Sequence, residues 1–379
     1  MNTKAHFRRF LEADPGRLHF AAHSHHLWPD VTFEAQQRCW TDAARLADRK
    51  WDRIFGALCP AVQGHIARVL NLRDPGTIAF GPNTHGFLLR LMSCLPAGRP
   101  LNVLTTESEF HSFARQMRRL EEDEPFDSFA ARFAEAAAGG GHDLVYFSQV
   151  FYDSGYAVPD AAALVGAVGE PETIVAVDGY HGFLALPSDL SGLEARAFYL
   201  AGGYKYAMAG EGIAFLHAPP GYGPRPRDTG WFAAFGALEA GAAGAVAYGA
   251  DGTRFSGATF DPAGLYRLEA VLDWLRALDL TVADIHAWVH RLQRRFVAAL
   301  SGLGLGALNP AQLVVPLEEK NRGHFLTFRT PDAGRIYRRL LEENVVTDYR
   351  GDRLRFGFGL YHDEEDVERL VHELGQIFG

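Results

Sequence analysis

The chain has 379 residues, of which 47% are hydrophobic and 22% are charged, with a formal net charge of −9 and no basic block. The chain is long enough for one large domain with a smaller one attached. Its negative net charge and the lack of a basic block argue against a nucleic-acid groove. No window approaches the roughly 20 apolar residues of a membrane span, and the N-terminus has no apolar signal core. The three cysteines show no CxxC spacing, so we predict a cytoplasmic protein that binds neither membrane nor nucleic acid.

The first two thirds of the chain alternate short apolar runs with helical patterns. Most of the runs are apolar on both faces, which is typical of strands buried in a mostly parallel sheet. The predicted strands are 77–81, 101–107, 143–149, 173–178, 195–202 and 212–218. Helical stretches such as 113–123 and 160–169 lie between them, so this part of the chain is predicted to be α/β, with helices on both sides of one sheet.

The pattern changes after about residue 260. A long amphipathic stretch, 261–280, has Asp261 as its predicted N-cap and Pro262 at the first helical position. A strand, a helix, a strand and a final helix follow at 324–330, 333–344, 353–360 and 363–379. We therefore expect an N-terminal segment (1–30) that borders the active site, a large domain (31–260), and a linking helix with a small α+β domain (261–379).

The N-terminal segment contains the cluster "HSHH" at 23–26. Three histidines so close in sequence could not close a tetrahedral metal site without a distant fourth ligand, and no cysteine or acidic partner is evident. We predict no metal, and instead a loop at the entrance of the site, with Ser24 and His25 as substrate-binding candidates.

Two predicted strands deliver polar side chains to one edge of the sheet, where ligands bind in open α/β folds. Asp178 ends the run "TIVAVD", and Lys205 follows "ARAFYLAGGY". Pyridoxal phosphate chemistry uses such a pair: the lysine amine forms the Schiff base, and the carboxylate keeps the pyridine nitrogen protonated. A buried setting would lower the lysine pKa and free its amine. Lys205 and Asp178 are the predicted catalytic residues.

The cofactor would also need a phosphate cradle and a stacked ring. Asn83 and Thr84 open a helix directly after the first strand of the predicted sheet, and backbone N–H groups at a helix start bind anions. Phe110 and His111 follow the strand 101–107 and could cover the ring face.

The order of these pieces resembles that of the fold-type-I pyridoxal-phosphate enzymes, in particular the kynureninase-like members of the class V aminotransferase superfamily. "DGYH" at 178–181 and "YKY" at 204–206 resemble the Asp-x-x-His and Tyr-Lys-Tyr segments, and "ESEF" favours Phe110 over His111 as the stacking residue. The C-terminal "LRFG" resembles the segment whose arginine holds the substrate α-carboxylate. The resemblance implies a seven-stranded, mostly parallel sheet. The cofactor-binding residues that it implies are Asn83, Thr84, Phe110, Ser148, Asp178, His181, Tyr204, Lys205, Trp231 and Thr259.

What the resemblance implies for function is hydrolytic Cβ–Cγ cleavage of an amino acid, releasing alanine, with Arg355 holding the α-carboxylate. Transamination and β-elimination on the same cofactor remain alternatives, and so does a non-catalytic cofactor-binding module. His181 and Trp231 could equally be core residues, and Arg355 could pair with an acid. Cysteine desulfuration is disfavoured because all three cysteines precede residue 95. The resemblance also implies a homodimer, with Trp231 and Thr259 reaching the neighbouring site.

Overall fold

A computed structural model describes residues 3–123, 133–221, 225–237 and 246–379 of the chain. The helices are α1 Arg8–Ala13, α2 Val31–Leu46, α3 Lys50–Arg53, α4 Cys59–Leu70, α5 Thr84–Ser93, α6 His111–Asp123, α7 Phe133–Gly139, α8 Ala161–Gly166, α9 Ala263–Ala277, α10 Val282–Ser301, α11 Ala333–Glu342 and α12 Glu364–Phe378. The strands are β1 Leu18–His19, β2 Ile78–Gly81, β3 Val103–Leu104, β4 Leu144–Ser148, β5 Ile174–Asp178, β6 Phe198–Gly202, β7 Ala214–His217, β8 Phe325–Arg329, β9 Val345–Val346, β10 Asp348–Arg350 and β11 Arg353–Gly357.

The central sheet has the strand order β2-β7-β6-β5-β4-β3. Neighbours from β3 to β6 are parallel, and β7 runs antiparallel to both β6 and β2. Each predicted strand of this sheet is present, and nearly every residue in these strands is buried, as their apolar runs require. The described residues contain six strands in this sheet, one fewer than the seven expected. The α/β fold that the pattern predicted is confirmed.

The sheet directions place several strand ends together. Because β2 and β6 both run antiparallel to β7, their carboxyl ends lie at the same edge as those of β4 and β5. The segments that follow Gly81, Ser148, Asp178 and Gly202 therefore meet at one edge of the sheet. Two buried apolar layers pack on the two faces of the sheet, one with α5 and the other shared with α4 and α9.

The C-terminal part of the chain contains an antiparallel sheet of order β10-β11-β8. α10 packs on α12, and both helices begin with a capping box, in which the N-cap side chain and the third helical residue hydrogen-bond reciprocally. α9 begins one residue later than predicted, with Pro262 at the N-cap, while Asp261 Oδ1 still accepts a hydrogen bond from Ala263 N at 2.9 Å.

The N-terminal segment joins this C-terminal part. β1 pairs in parallel with β9, and Ala21 forms an isolated parallel bridge with Gly357 of β11. His26 N donates to Tyr204 O at 3.0 Å, which ties the same segment to the loop that carries the predicted lysine. The segment 18–26 thus lies between the two sheets.

Within the described part of the chain, no helix has both the length and the apolar character needed to cross a bilayer.

Candidate active site

Asp178 ends β5 and is fixed by two hydrogen bonds. Tyr146 donates its hydroxyl proton to Asp178 Oδ2 at 2.9 Å, and Tyr180 N donates to Oδ1 at 2.9 Å. Burial raises the pKa of Asp178, and these donors, together with the charge of Lys205, oppose that rise. The result is a half-buried carboxylate in one orientation at the sheet edge.

Lys205 lies in a tight loop after β6. A Cβ added at Gly203 would lie 2.5 Å from the carbonyl oxygen of Gly210, so the loop closes on itself only because residue 203 has no side chain. The lysine is 5% exposed. Burial lowers its pKa from 10.5 to about 7, although the nearby charge of Asp178 acts in the opposite direction. The amine therefore has a large neutral fraction near neutral pH, as a nucleophile requires.

His181 lies beside this amine. Its Nε2 is 2.8 Å from Lys205 Nζ and 3.1 Å from the backbone oxygen of His23. The ring is buried, and burial lowers its pKa well below 6.5, so the imidazole is neutral. The structure brings His181 into contact with the lysine, which favours its role in the site over that of a core residue.

Aromatic rings surround the lysine amine. Lys205 Nζ lies 5.2 Å from the ring centroid of Phe110, 5.0 Å from that of Tyr180 and 5.9 Å from that of Tyr204. Phe110 is the residue predicted to stack on the cofactor, and it comes within reach of the lysine from the β3 end of the sheet. A flat ring attached to this amine would have apolar faces against which to pack.

A buried carboxylate that sequence reasoning missed supports this edge of the sheet. Glu109 is 3% exposed and accepts hydrogen bonds from Thr106 Oγ1 at 2.5 Å, from Ser148 Oγ at 2.5 Å and from Ser148 N at 3.2 Å. Ser148 is the direct partner of Asp178 in the β4–β5 ladder. Burial raises the pKa of Glu109 to about 7, and the charge of Asp178 adds to the rise. Three donors on one buried glutamate hold Ser148 and the segment before Phe110 together.

The predicted phosphate cradle lies at the same sheet edge. Asn83 caps α5, its Oδ1 accepting from Gly86 N at 2.9 Å, and Thr84 is the first helical residue. Both follow the carboxyl end of β2, which shares its edge with the ends of β5 and β6. The helix start therefore faces the side of the sheet on which Lys205 lies, where its N–H groups and dipole favour an anion.

Arg355 lies in β11 of the small sheet, 3% exposed. Its Nη2 pairs with Asp348 Oδ2 and its Nη1 donates to the backbone oxygen of Tyr152. Its Nε is buried and has no hydrogen-bond partner among the described residues. The charge of Arg355 contributes to the lowered pKa of Lys205. Asp348, which sequence reasoning did not single out, is the acid with which Arg355 pairs.

The "HSHH" segment is a loop, as predicted, and its histidines differ in burial. The ring of His25 is largely exposed and stacks on Tyr204 with centroids 5.0 Å apart, and Ser24 Oγ lies 3.4 Å from His25 Nδ1. His23, by contrast, is 1% exposed, and its Nε2 is 3.7 Å from Asp348 Oδ2. Sequence alternation could not separate these side chains because the segment is neither a helix nor a regular strand. Among the described residues, no group of three or more His, Cys, Asp or Glu side chains is placed to hold a metal ion.

Trp231 and Thr259 lie together on the surface. Trp231 is 41% exposed, and its Nε1 donates to Thr259 Oγ1 at 3.1 Å. Phe235, 40% exposed, lies 5.3 Å from the Trp231 ring. Because both rings are exposed, Trp231 is a surface residue and not a core residue.

These residues fit pyridoxal phosphate. The site offers a buried amine of lowered pKa, a fixed carboxylate, aromatic rings near the amine and a helix start for the phosphate. The tight Gly203–Gly210 approach holds the amine in place. The residues that would hold the cofactor are Asn83, Thr84, Phe110, Ser148, Asp178, His181, Tyr204 and Lys205.

Part of the sequence is similar to kynureninase and to another enzyme. The family described as kynureninase C-terminal domain matches residues 286–374. Among characterised relatives, a kynureninase of Deinococcus radiodurans is 31% identical over 239 residues, which cover 62% of this chain and 56% of the relative. The matched region therefore spans little more than half of that kynureninase. Isopenicillin N epimerase of Streptomyces clavuligerus is 28% identical over 341 residues, covering 81% of each chain.

Solved structures with the same fold cover nearly the whole chain. An apo cysteine desulfurase from Thermococcus onnurineus NA1 superposes with a TM-score of 0.81 at 16% identity, covering 100% of this chain and 98% of that one. The cystine C–S lyase C-DES, solved with its product cysteine persulfide, gives 0.78 at 18% identity over 96% and 98%. A variant of C-DES carries glycine covalently linked to its PLP cofactor, and it gives 0.77 at 19% identity over 98% and 99%.

The fold is that of fold-type-I enzymes, as in these solved structures, one of which carries a covalently substituted PLP cofactor. Residues 286–374 match the kynureninase C-terminal domain family, and the chain as a whole shares its fold with these cysteine desulfurase and C–S lyase structures.

Proposed function

We propose that this chain is a kynureninase-like hydrolase, which cleaves the Cβ–Cγ bond of an amino acid carrying a γ-carbonyl and releases alanine. The observation that carries the proposal is Arg355. It lies inside the region matched by the kynureninase C-terminal domain, is buried, and keeps its Nε free of partners among the described residues. Its charge also contributes to the lowered pKa of Lys205. A guanidinium fork in that place suits a substrate α-carboxylate.

Each residue then has a defined task. The cofactor, when bound, supplies an electron sink for negative charge at Cα. Lys205 would hold it covalently and, after the substrate amine takes its place, move the proton at Cα. Asp178, oriented by Tyr146 and by Tyr180 N, would keep the pyridine nitrogen protonated.

Orientation decides which bond of the substrate breaks. Arg355 would fix the α-carboxylate, while Phe110 would fix the plane of the ring against which Cα is held. With these two points set, the substrate bond to be cleaved can stand perpendicular to that plane. In the overall reaction, water adds its hydroxyl to the γ-carbonyl carbon to give an acid, and a proton replaces that carbon on Cβ to give alanine.

The cysteines argue against desulfuration, the activity named for the Thermococcus onnurineus structure. That reaction needs a nucleophilic thiolate. Cys59 is buried, and burial raises the pKa of both Cys59 and Cys94 to about 12. Burial also raises the pKa of Cys39. All three thiols are protonated at neutral pH and so lack the reactive form.

We also propose a cytoplasmic homodimer in which Trp231 and Thr259 complete the partner's site. The support is their exposure: a tryptophan, a phenylalanine at position 235 and a hydrogen-bonded threonine form a surface patch. Aromatic side chains exposed together are typical of interfaces.

Product analysis tests the reaction. The loaded protein is mixed with L-kynurenine, first without and then with an α-keto acid. Alanine and anthranilate in equal amounts without the keto acid support hydrolysis. Strict dependence on the keto acid would show transamination instead, and pyruvate released from β-chloroalanine with no turnover of kynurenine would show β-elimination. The Lys205→Ala variant is the control, and it should form no product in any arm.

A further inference from the structure

The face of the small sheet that carries Arg355 also carries other buried polar groups without partners. Asp348, Arg355 and Thr327 are directly paired across β10, β11 and β8, so their side chains project from one face. Thr327 is 1% exposed, and its hydroxyl has no hydrogen-bond partner within the described residues. The Nε of Arg355 is likewise buried and has no hydrogen-bond partner within the described residues.

His23 lies on this face beside them. Gly357 and Phe325 form the next pair along the same face, two residues from Arg355 and Thr327. A Cβ on Gly357 would lie 2.2 Å from His23 Nδ1, so the histidine occupies the space that the glycine leaves. Its ring stacks on Phe325 with centroids 4.6 Å apart and an interplanar angle of 23°. The imidazole is thus locked in place by packing.

The locked ring has both nitrogens buried and neither hydrogen-bonded to any described residue. Nδ1 is against Gly357, which leaves Nε2 as the nitrogen that points toward the Asp348–Arg355 pair, 3.7 Å from Asp348 Oδ2. The backbone oxygen of the same histidine contacts His181, which contacts Lys205. The backbone of His23 therefore contacts the histidine that touches Lys205, while its side chain lies beside the Asp348–Arg355 pair.

A buried donor without a partner is costly, and native proteins keep few of them. Two such nitrogens are His23 Nε2, which is 3.7 Å from Asp348 Oδ2, and Arg355 Nε, whose guanidinium pairs with the same carboxylate through Nη2. Asp348 also accepts from Arg350 at 2.7 Å. A second carboxylate brought to this place by a ligand would satisfy both donors.

We propose that His23 is a substrate-binding residue that donates from Nε2 to the α-carboxylate, beside Arg355. The inference rests on the proposed function only in that the ligand is an α-amino acid. It adds to that function a second residue that donates a hydrogen bond to the substrate carboxylate. Ser24 and His25, the residues expected to meet the substrate, are not needed for this role.

Matched ligands test the proposal. The protein loaded with pyridoxal phosphate is titrated with L-alanine against ethylamine and with L-phenylalanine against 2-phenylethylamine, and the absorbance change of the bound cofactor gives each Kd. The members of a pair differ only in the carboxylate. His23→Phe retains a ring to stack on Phe325 and removes both nitrogens. We expect it to weaken both amino acids by the same factor, roughly 10- to 100-fold, and to change both amines by less than about threefold.

His23→Gln should recover part of the loss because its amide N–H reaches toward the position of Nε2, and it carries the test if the phenylalanine variant does not fold. His372→Phe, an exposed histidine on α12, is the control for the substitution itself. Equal weakening of amines and amino acids, weakening of one amino acid alone, or no change would each overturn the proposal. A wild-type protein that binds amines as tightly as amino acids would overturn it too. Kynurenine cleavage is not measured here, so the proposed reaction can fail while the carboxylate result still supports or overturns the role of His23.

Discussion

Lys205 Nζ lies 2.8 Å from His181 Nε2, and the same nitrogen lies 3.1 Å from the backbone oxygen of His23. A carbonyl oxygen only accepts, so the contact with His23 places the imidazole proton on Nε2. With its one proton directed at His23, Nε2 has no lone pair left to accept a hydrogen bond from Lys205, so this contact does not stabilise the ammonium form of the lysine. Geometry and the lowered pKa of Lys205 therefore agree that the amine is held ready to react.

The rate at which Lys205 captures pyridoxal phosphate should follow this pKa. Only the neutral amine attacks, so the rate should rise severalfold between pH 6 and 7 and level off above about pH 8, because the pKa is about 7. An ordinary lysine would continue to gain about tenfold per pH unit up to about pH 10. Stopped-flow absorbance of apoprotein mixed with cofactor measures the rate. Nα-acetyl-lysine run in parallel corrects for ionisation of the cofactor, and a profile that parallels this amine would contradict the prediction.

Glu109 should make stability depend on pH. Its pKa is about 7 in the folded protein and ordinarily 4.5, so the folded state binds the proton more tightly. The stabilisation is present below about pH 4.5 and is lost as the pH rises through 7. The free energy of unfolding of wild type relative to Glu109→Gln should therefore fall by about 2 kcal/mol between pH 5 and pH 8. Urea denaturation at both pH values measures it, and a difference that is constant or rises would exclude the raised pKa.

Gly357 should tolerate no side chain. A Cβ there would lie 2.2 Å from His23 Nδ1 and 2.9 Å from His23 N. Gly357→Ala must displace the histidine segment or the strand, and we expect a loss of about 1–3 kcal/mol in the free energy of unfolding. Gly64→Ala is the matched control, since nothing lies within 4 Å of a Cβ at that helical position, and it should gain about 0.5–1 kcal/mol. Equal changes in the free energy of unfolding for the two variants would show that the contact between Gly357 and His23 is not rigid.

If the protein is the proposed dimer, a change at Trp231 should affect cofactor binding in the partner subunit's site. Trp231→Ala should shift the protein toward monomer in light scattering and weaken retention of pyridoxal phosphate during dialysis, because the partner's site loses a contributor. Leu341→Ala, a comparably exposed apolar residue on α11 (47%), should change neither. Wild-type protein that is monomeric and fully active would refute the shared site.

The strand pattern could be read from the sequence because burial on both faces forces continuous apolar runs. Each predicted strand of the large sheet is present, Asp178 ends β5, and Lys205 follows the end of β6, as expected. The limits of β3 were harder to predict: the run 101–107 forms a ladder only at Val103–Leu104. Hydrophobicity records burial, whereas a strand's limits depend on which neighbour supplies the hydrogen bonds.

The histidine cluster shows where sequence reasoning ended. The sequence by itself determined the α/β class, the lysine and aspartate at the sheet edge, and an arginine in a late strand, since each follows from local pattern or from a recognisable segment. Only the tertiary structure decided that His23, rather than His25, faces Arg355, that Asp348 pairs with this arginine, and that Glu109 holds Ser148. These contacts join segments separated by up to several hundred residues, and such pairings depend on how two sheets and an irregular segment pack, which local spacing does not encode.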